Sequence, residues 1–181
     1  MVRKTDDESL QDEKKPIVYR YVEADCISKT QDLADIIFGR HYTKVKLCNE
    51  NQFTITAFYN DELVGFGIGL IAKTGKYNNL QLSQLPIGIL QLVGVIPEYR
   101  NLGVGVGLMT RIVEKLAPLH VFGFAWEKEG VIMADSRLTS IGLKKVKEMG
   151  HIWKDACDKR VFHCPNRIDV CNCTAVLYSK K

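Results

Sequence analysis

The segment from Ile89 to Leu116, ILQLVGVIPEYRNLGVGVGLMTRIVEKL, constrains this chain more than any other. Its first seven residues are too apolar for an exposed edge. Pro97 breaks the run, and glycines gather at Gly103, Gly105 and Gly107. Helical spacing then resumes, with Val104, Leu108, Met109, Ile112, Val113 and Leu116 opposite Thr110, Arg111, Glu114 and Lys115. The pattern predicts a buried strand, a glycine-rich turn and an amphipathic helix that ends before Pro118. Each glycine in a helix costs roughly 1 kcal/mol relative to alanine, so close approach of a ligand to bare backbone is the expected reason for them. Unpaired N–H groups and the positive end of the helix dipole favour an anion there, a phosphate above all. Arg100 adds positive charge beside it. Neither a Gly-Lys-Ser/Thr sequence nor G-x-G-x-x-G spacing is present, which excludes two common phosphate loops.

The remaining elements predict a mixed α/β layer. Ile17 to Val22 reads as a first strand. Ser28-x-x-Gln31 has the form of a capping box, ahead of an apolar stripe at Leu33, Ile36 and Ile37 that Gly39 stops. Gln52 to Tyr59 alternates, turns at Asn60-Asp61 and returns through Leu63 to Ile71 as a hairpin. Gly65, Gly67 and Gly69 leave one face of the return strand shallow, a seat for a close-packed helix or for a ligand. Residues 73 to 88 form a polar loop, His120 to Trp126 another strand, and Ala134 to Ile141 a short helix ended by Gly142.

With 181 residues, 46% of them apolar, the chain suits one domain over residues 16–181, preceded by a flexible polar arm at 1–15 and ending in a cysteine-rich extension at 150–181. A net charge of +4 does not argue for nucleic acid but suits an anionic small molecule. No apolar run approaches the roughly 20 residues of a membrane span, and the N-terminus has no hydrophobic signal core, so a cytoplasmic location is expected. Nothing in the sequence sets the oligomeric state, and a dimer is compatible with it.

In that setting clustered cysteines suggest metal before disulfides. Cys157, Cys164, Cys171 and Cys173 follow C-x6-C-x6-C-x-C spacing. Structural zinc on four thiolates is one reading, and reduced, metal-free core cysteines the other. A C-x-C in a strand would send its sulfurs to opposite faces unless the chain turns at Asn172.

Val93, Val95, Pro97, Arg100, Gly103 and Gly105 together resemble the acyl-CoA signature of the GNAT superfamily, the GCN5-related N-acetyltransferases. The likeness runs from about Ile17 to Leu143, and the tail with Trp153 and Cys171-x-Cys173-x-Ala175-x-x-Tyr178 resembles that of some members. It implies a mostly antiparallel sheet flanked by helices, with acetyl-CoA as co-substrate and an amine as acceptor. Val93 and Val95 would present main chain to the pantetheine arm. The amides from Arg100 through Asn101, Gly103 and Val104 to Gly105 would hold the pyrophosphate. The acceptor wall would come from residues 28 to 48, with His41 and Tyr42, and from residues 73 to 88. The second half of the pattern departs from the family: Leu138 stands at the position of the usual tyrosine acid and Val131 at that of the asparagine. Another group or water must then protonate the thiolate. Glu127 is the candidate base, acting through a water, or else a solvated loop charge; Gln91 is near the place of a glutamate in some relatives, but an amide takes no proton. Loss of the tyrosine leaves a non-catalytic CoA-binding scaffold as the alternative function.

Overall fold

The computed structural model describes residues 16–73, 75–77, 80–81, 85–164 and 170–181. In chain order the elements are β1 (Val18–Tyr21), α1 (Ile27–Phe38), β2 (Gln52–Tyr59), β3 (Glu62–Ala72), β4 (Lys76–Tyr77), β5 (Leu80–Gln81), β6 (Ile87–Val95), α2 (Val104–Leu116), β7 (Val121–Lys128), β8 (Val131–Ile132), α3 (Asp135–Ser140), β9 (Lys144–Gly150), α4 (Lys154–Asp158) and β10 (Thr174–Lys180). The main sheet runs β1-β2-β3-β6-β7-β10-β9, with β8 folded back on β7. Among the described strands only β6 and β7 pair in parallel; every other neighbour in this sheet is antiparallel. The polar arm at 1–15 lies outside the described residues. No helix among those described is long and apolar enough to cross a membrane.

Local chemistry sets the first half of the sheet. Asn60 and Asp61 take φ of 51° and 62°, the paired left-handed conformation of a tight hairpin turn, and these two residue types tolerate it best after glycine. Gly39, with φ 91°, stops α1. The capping box does not form. Cys26 occupies the N-cap without a side-chain bond, while the Gln31 amide accepts from the Val45 N–H at 2.8 Å and donates to the Thr43 carbonyl at 3.1 Å. Gln31 therefore ties down the segment after α1 instead of closing the helix start.

The shallow face of β3 seats a helix. A Cβ at Gly65 would meet Val104 and Leu108 of α2 at 3.3 Å, and one at Gly67 would come within 2.6 Å of Ile112 Cδ1. The larger core lies between this face and α2, and the smaller one, around Leu33, Phe66 and Ile68, lies under α1.

Gly107 has a packing role, not the ligand role its spacing suggested. A Cβ there would fall 2.1 Å from the Tyr19 hydroxyl and 2.5 Å from its ring, and the Arg111 guanidinium lies 3.8 Å from the centre of that ring. Helix propensity alone predicts that Gly107→Ala stabilises by about 1 kcal/mol. Overpacking against a pinned ring costs roughly 1–3 kcal/mol, so Gly107→Ala should lower the Tm. In a Tyr19→Ala background the same change should raise it, and thermal melts of the four proteins check the reversal of sign.

The tail is no appendage. Its last strand, β10, inserts between β7 and β9, and Ala175, Val176, Leu177 and Tyr178 are all buried. The Tyr178 hydroxyl donates to the Asp135 carboxylate, fastening β10 to the start of α3.

Candidate active site

The site begins where β6 and β7 part. Their parallel pairing covers Gly88, Ile89 and Leu90 against Val121, Phe122 and Gly123, and then stops. On the other edge of β6, Leu90 pairs with Gly69 and Leu92 with Ile68, which leaves Gln91 as the extra residue of a bulge. A bulge bends its strand and increases the local twist, and the two strands diverge from this point. The β7-facing edge of β6 through Val93 and Val95 has no strand partner among the described residues, and apart from the Val95 carbonyl, which accepts from Arg100, its peptide groups are open to pair with an extended ligand.

That edge leads to the start of α2. Asn101 and Gly103 take φ of 64° and 83°, and Gly103 caps the helix without any side-chain bond to its first amides. A Cβ added at Gly103 would meet nothing within 4 Å, and one at Gly105 only Val95 Cγ2 at 3.6 Å. Packing does not demand a glycine at 105; open space over the helix start does, if a ligand is to sit on the backbone. Val104, between them, is buried in the core and fixes the turn. The exposed Arg100 donates through Nε to the Val95 carbonyl at 3.1 Å. A second guanidinium stands opposite: Arg137 of α3 donates to Asn101 Oδ1 at 3.3 Å. Sequence spacing could not reveal Arg137, because only the packing of α3 beside α2 brings it there.

Between the splayed strands lies a cavity of about 320 Å³, lined by residues of both strands and by rings from three further segments. Phe38 and Tyr42 stack, with centroids 5.7 Å apart, and the other contacts among Phe38, Tyr42, Trp126, Trp153 and Phe162 are edge to face at 4.8–6.0 Å, both favourable geometries for aromatic pairs. Burial pushes the Tyr42 hydroxyl well above its ordinary value, with the Trp126 indole N–H opposing the shift, and burial pushes Tyr77 up to about 12. Both are therefore neutral donors at physiological pH. Gln91 also lines the cavity, and its buried Oε1 has no hydrogen-bond partner.

Glu127 does not line the cavity. It stands at the end of β7, where its carboxylate accepts the Thr174 hydroxyl at 2.7 Å. Leu138, in the tyrosine position, is buried in the core and lines the cavity wall, and Val131 is exposed on β8. His41 and Tyr42 border a shallow depression beyond α1, and of the two only Tyr42 reaches the main cavity.

The four tail cysteines do converge. Cys171 and Cys173 precede β10 in irregular backbone, so both line one small cavity with Cys157, Cys164 and the rings of Tyr42, Trp126, Trp153 and Phe162. Yet no three Cys, His, Asp or Glu side chains among the described residues are arranged to hold a metal ion. Zinc therefore has no support among the described residues, where the four thiols share their cavity with four rings. Burial, and then the neighbouring Cys171 and Cys164, push the Cys173 thiol up, so it stands as a neutral thiol in this packing. The cluster lies against the aromatic wall, with Cys157 and Cys171 buried.

Solved structures of similar fold include NAA60 of Arabidopsis thaliana in complex with acetyl-CoA, with a TM-score of 0.63, 12% identity and 91% of this chain matched to 98% of that one. Another is the ribosomal-protein-S18-alanine N-acetyltransferase of Escherichia coli, with a TM-score of 0.62, 11% identity and coverage of 91% and 92%. Arabidopsis thaliana Naa50, in complex with the bisubstrate analogue CoA-Ac-MVNAL, gives 0.59, 15%, and coverage of 91% and 98%. Curated protein sequences give no match. Residues 19–132, from β1 to β8 and so including the splay and the helix start, match the acetyltransferase (GNAT) family, and the chain belongs to that family.

Proposed function

We propose that this protein transfers an acetyl group from acetyl-CoA to a primary amine. The observation that carries the reading is one continuous path: an unpaired β6 edge that runs from the splay to an uncapped, open helix start flanked by Arg100 and Arg137. An extended edge followed by an open helix start suits a pantetheine arm ending in a pyrophosphate. The likeness to NAA60 with acetyl-CoA and to Naa50 with a CoA-peptide conjugate supports the same reading.

The main chain at Val93 and Val95 pairs with the arm, and the amides from Arg100 to Gly105 hold the pyrophosphate with the helix dipole behind them. The thioester then lies in the cavity beside Gln91. The amine nitrogen attacks its carbonyl, forming the N–C bond as the C–S bond breaks. The proton leaves through water towards Glu127, whose position outside the cavity requires a relay, and the thiolate takes a proton from water in place of the missing tyrosine.

The test is calorimetric titration with acetyl-CoA, followed by thiol release across a panel of amines. Binding with turnover is expected, and Glu127→Gln should lower kcat by roughly 100-fold while acetyl-CoA affinity stays unchanged. Binding with no turnover for any amine is the outcome expected of a non-catalytic scaffold, and no binding would overturn both readings.

A further inference from the structure

Resting on that reading of the cavity, we infer that the acceptor is a small amine carried on an apolar body with no second charge, and that the Gln91 side chain orients its nitrogen. The walls carry the first half of the inference. Among the described residues that line the cavity, none is an aspartate, glutamate, lysine, arginine or histidine. A second ammonium or a carboxylate on the acceptor would lose its water there and find no countercharge among the described lining residues. One amine is different, because ring faces attract an ammonium as it enters. Its desolvation then lowers its own pKa and favours the free base that attacks. The apolar and aromatic walls among the described residues thus select the substrate and also help prepare it.

Size points the same way. About 320 Å³ stands at the low end of the ~300–1,000 Å³ typical of small-molecule sites, and the acetyl-bearing end of the co-substrate shares it. An aryl or branched alkyl group matches the edge-to-face walls of Tyr42, Trp126, Trp153 and Phe162.

Gln91 carries the second half. The bulge makes it the first residue beyond the last β6–β7 pair, at the mouth of the splay, where the thioester is placed. Its Oε1 is a buried acceptor with no donor, and such an atom normally has one. An amine N–H supplies it, which leaves the nitrogen lone pair to turn towards the carbonyl. Gln91 is a positioning residue on this account, since it takes no proton.

Steady-state kinetics at saturating acetyl-CoA test both halves, with phenethylamine, isoamylamine, spermidine, free lysine, kanamycin and a tetrapeptide with an apolar first residue as acceptors. Phenethylamine or isoamylamine should exceed every other acceptor in kcat/KM by at least ~10-fold. Gln91→Leu should raise the amine KM by ~10-fold or more, with the calorimetric acetyl-CoA affinity unchanged. Gln91→Glu, which keeps an acceptor oxygen, should restore the KM. A preference for spermidine, kanamycin, lysine or the tetrapeptide overturns the substrate class while leaving acetyl transfer standing. An unchanged KM in Gln91→Leu overturns the role of Gln91. If wild type fails to bind acetyl-CoA, the acetyl-transfer reading falls and the inference with it.

Discussion

Gly105→Glu is expected to weaken acetyl-CoA binding by at least ~100-fold and to leave the protein folded. A unit charge placed about 4 Å from a phosphate costs about 4 kcal/mol at an effective dielectric near 20, and each ~1.4 kcal/mol is a factor of ten. The glutamate side chain also fills the space that the pyrophosphate needs. The fold should not suffer, because a Cβ at this position meets only Val95 Cγ2, at 3.6 Å, and a carboxylate in the first turn of a helix is itself favourable by about 0.3–1 kcal/mol. Gly105→Ala is the control: it gains up to about 1 kcal/mol of helix propensity and should raise the Tm while weakening binding far less. Calorimetry and melting curves on the three proteins decide the matter. Equal affinity in wild type and Gly105→Glu would remove the helix start from the binding site.

Much of this was legible where a single stretch of chain carries its own explanation. Asn60-Asp61 specified the hairpin, Gly39 the end of α1, and the apolar stripe from Val104 to Leu116 the face of α2 that is buried. What escaped the sequence depends on residues far apart. Ser28 and Gln31 had the form of a cap, but Val45 offered Gln31 a buried N–H and won. Gly107 looked like its neighbour Gly105 until Tyr19, 88 positions earlier in the chain, was laid over it. Nothing local distinguishes the two glycines. Arg137 reaches the helix start only through the docking of α3. Likewise the aromatic wall draws Phe38, Tyr42, Trp126, Trp153 and Phe162 from segments with no shared spacing. The cysteines were correctly grouped by spacing, yet spacing could not say that four rings would share their cavity. Nor did the tail announce that its last strand would enter the middle of the sheet, since strand order depends on pairing between remote segments.

The cradle at the start of α2 also depends on how that helix is seated, and Ile112→Ala should destabilise the protein by about 2–5 kcal/mol. Ile112 is fully buried, and its Cδ1 occupies the hollow above Gly67 where a Cβ would otherwise be. Truncation empties that hollow in a core whose other walls, Leu108 and Leu116 among them, are held by the rest of the helix. Gly67→Ala alone should also destabilise, because its methyl would come within 2.6 Å of Ile112 Cδ1 and 3.1 Å of Val93 Cγ2. Together the two changes remove three carbons from the helix, the clashing Cδ1 among them, and put one methyl on the strand. Only the contact with Val93 then remains tight. The double variant should consequently be more stable than the sum of the single losses predicts, by a coupling of roughly 1–3 kcal/mol. Urea unfolding of the four proteins measures that coupling directly. Strict additivity would mean that the glycine at 67 is not held by Ile112. The shallow face of β3 would then need another explanation. A coupling of the expected sign would show that the glycines of β3 set the depth at which α2 sits, and so the height of its first turn above the splayed strands.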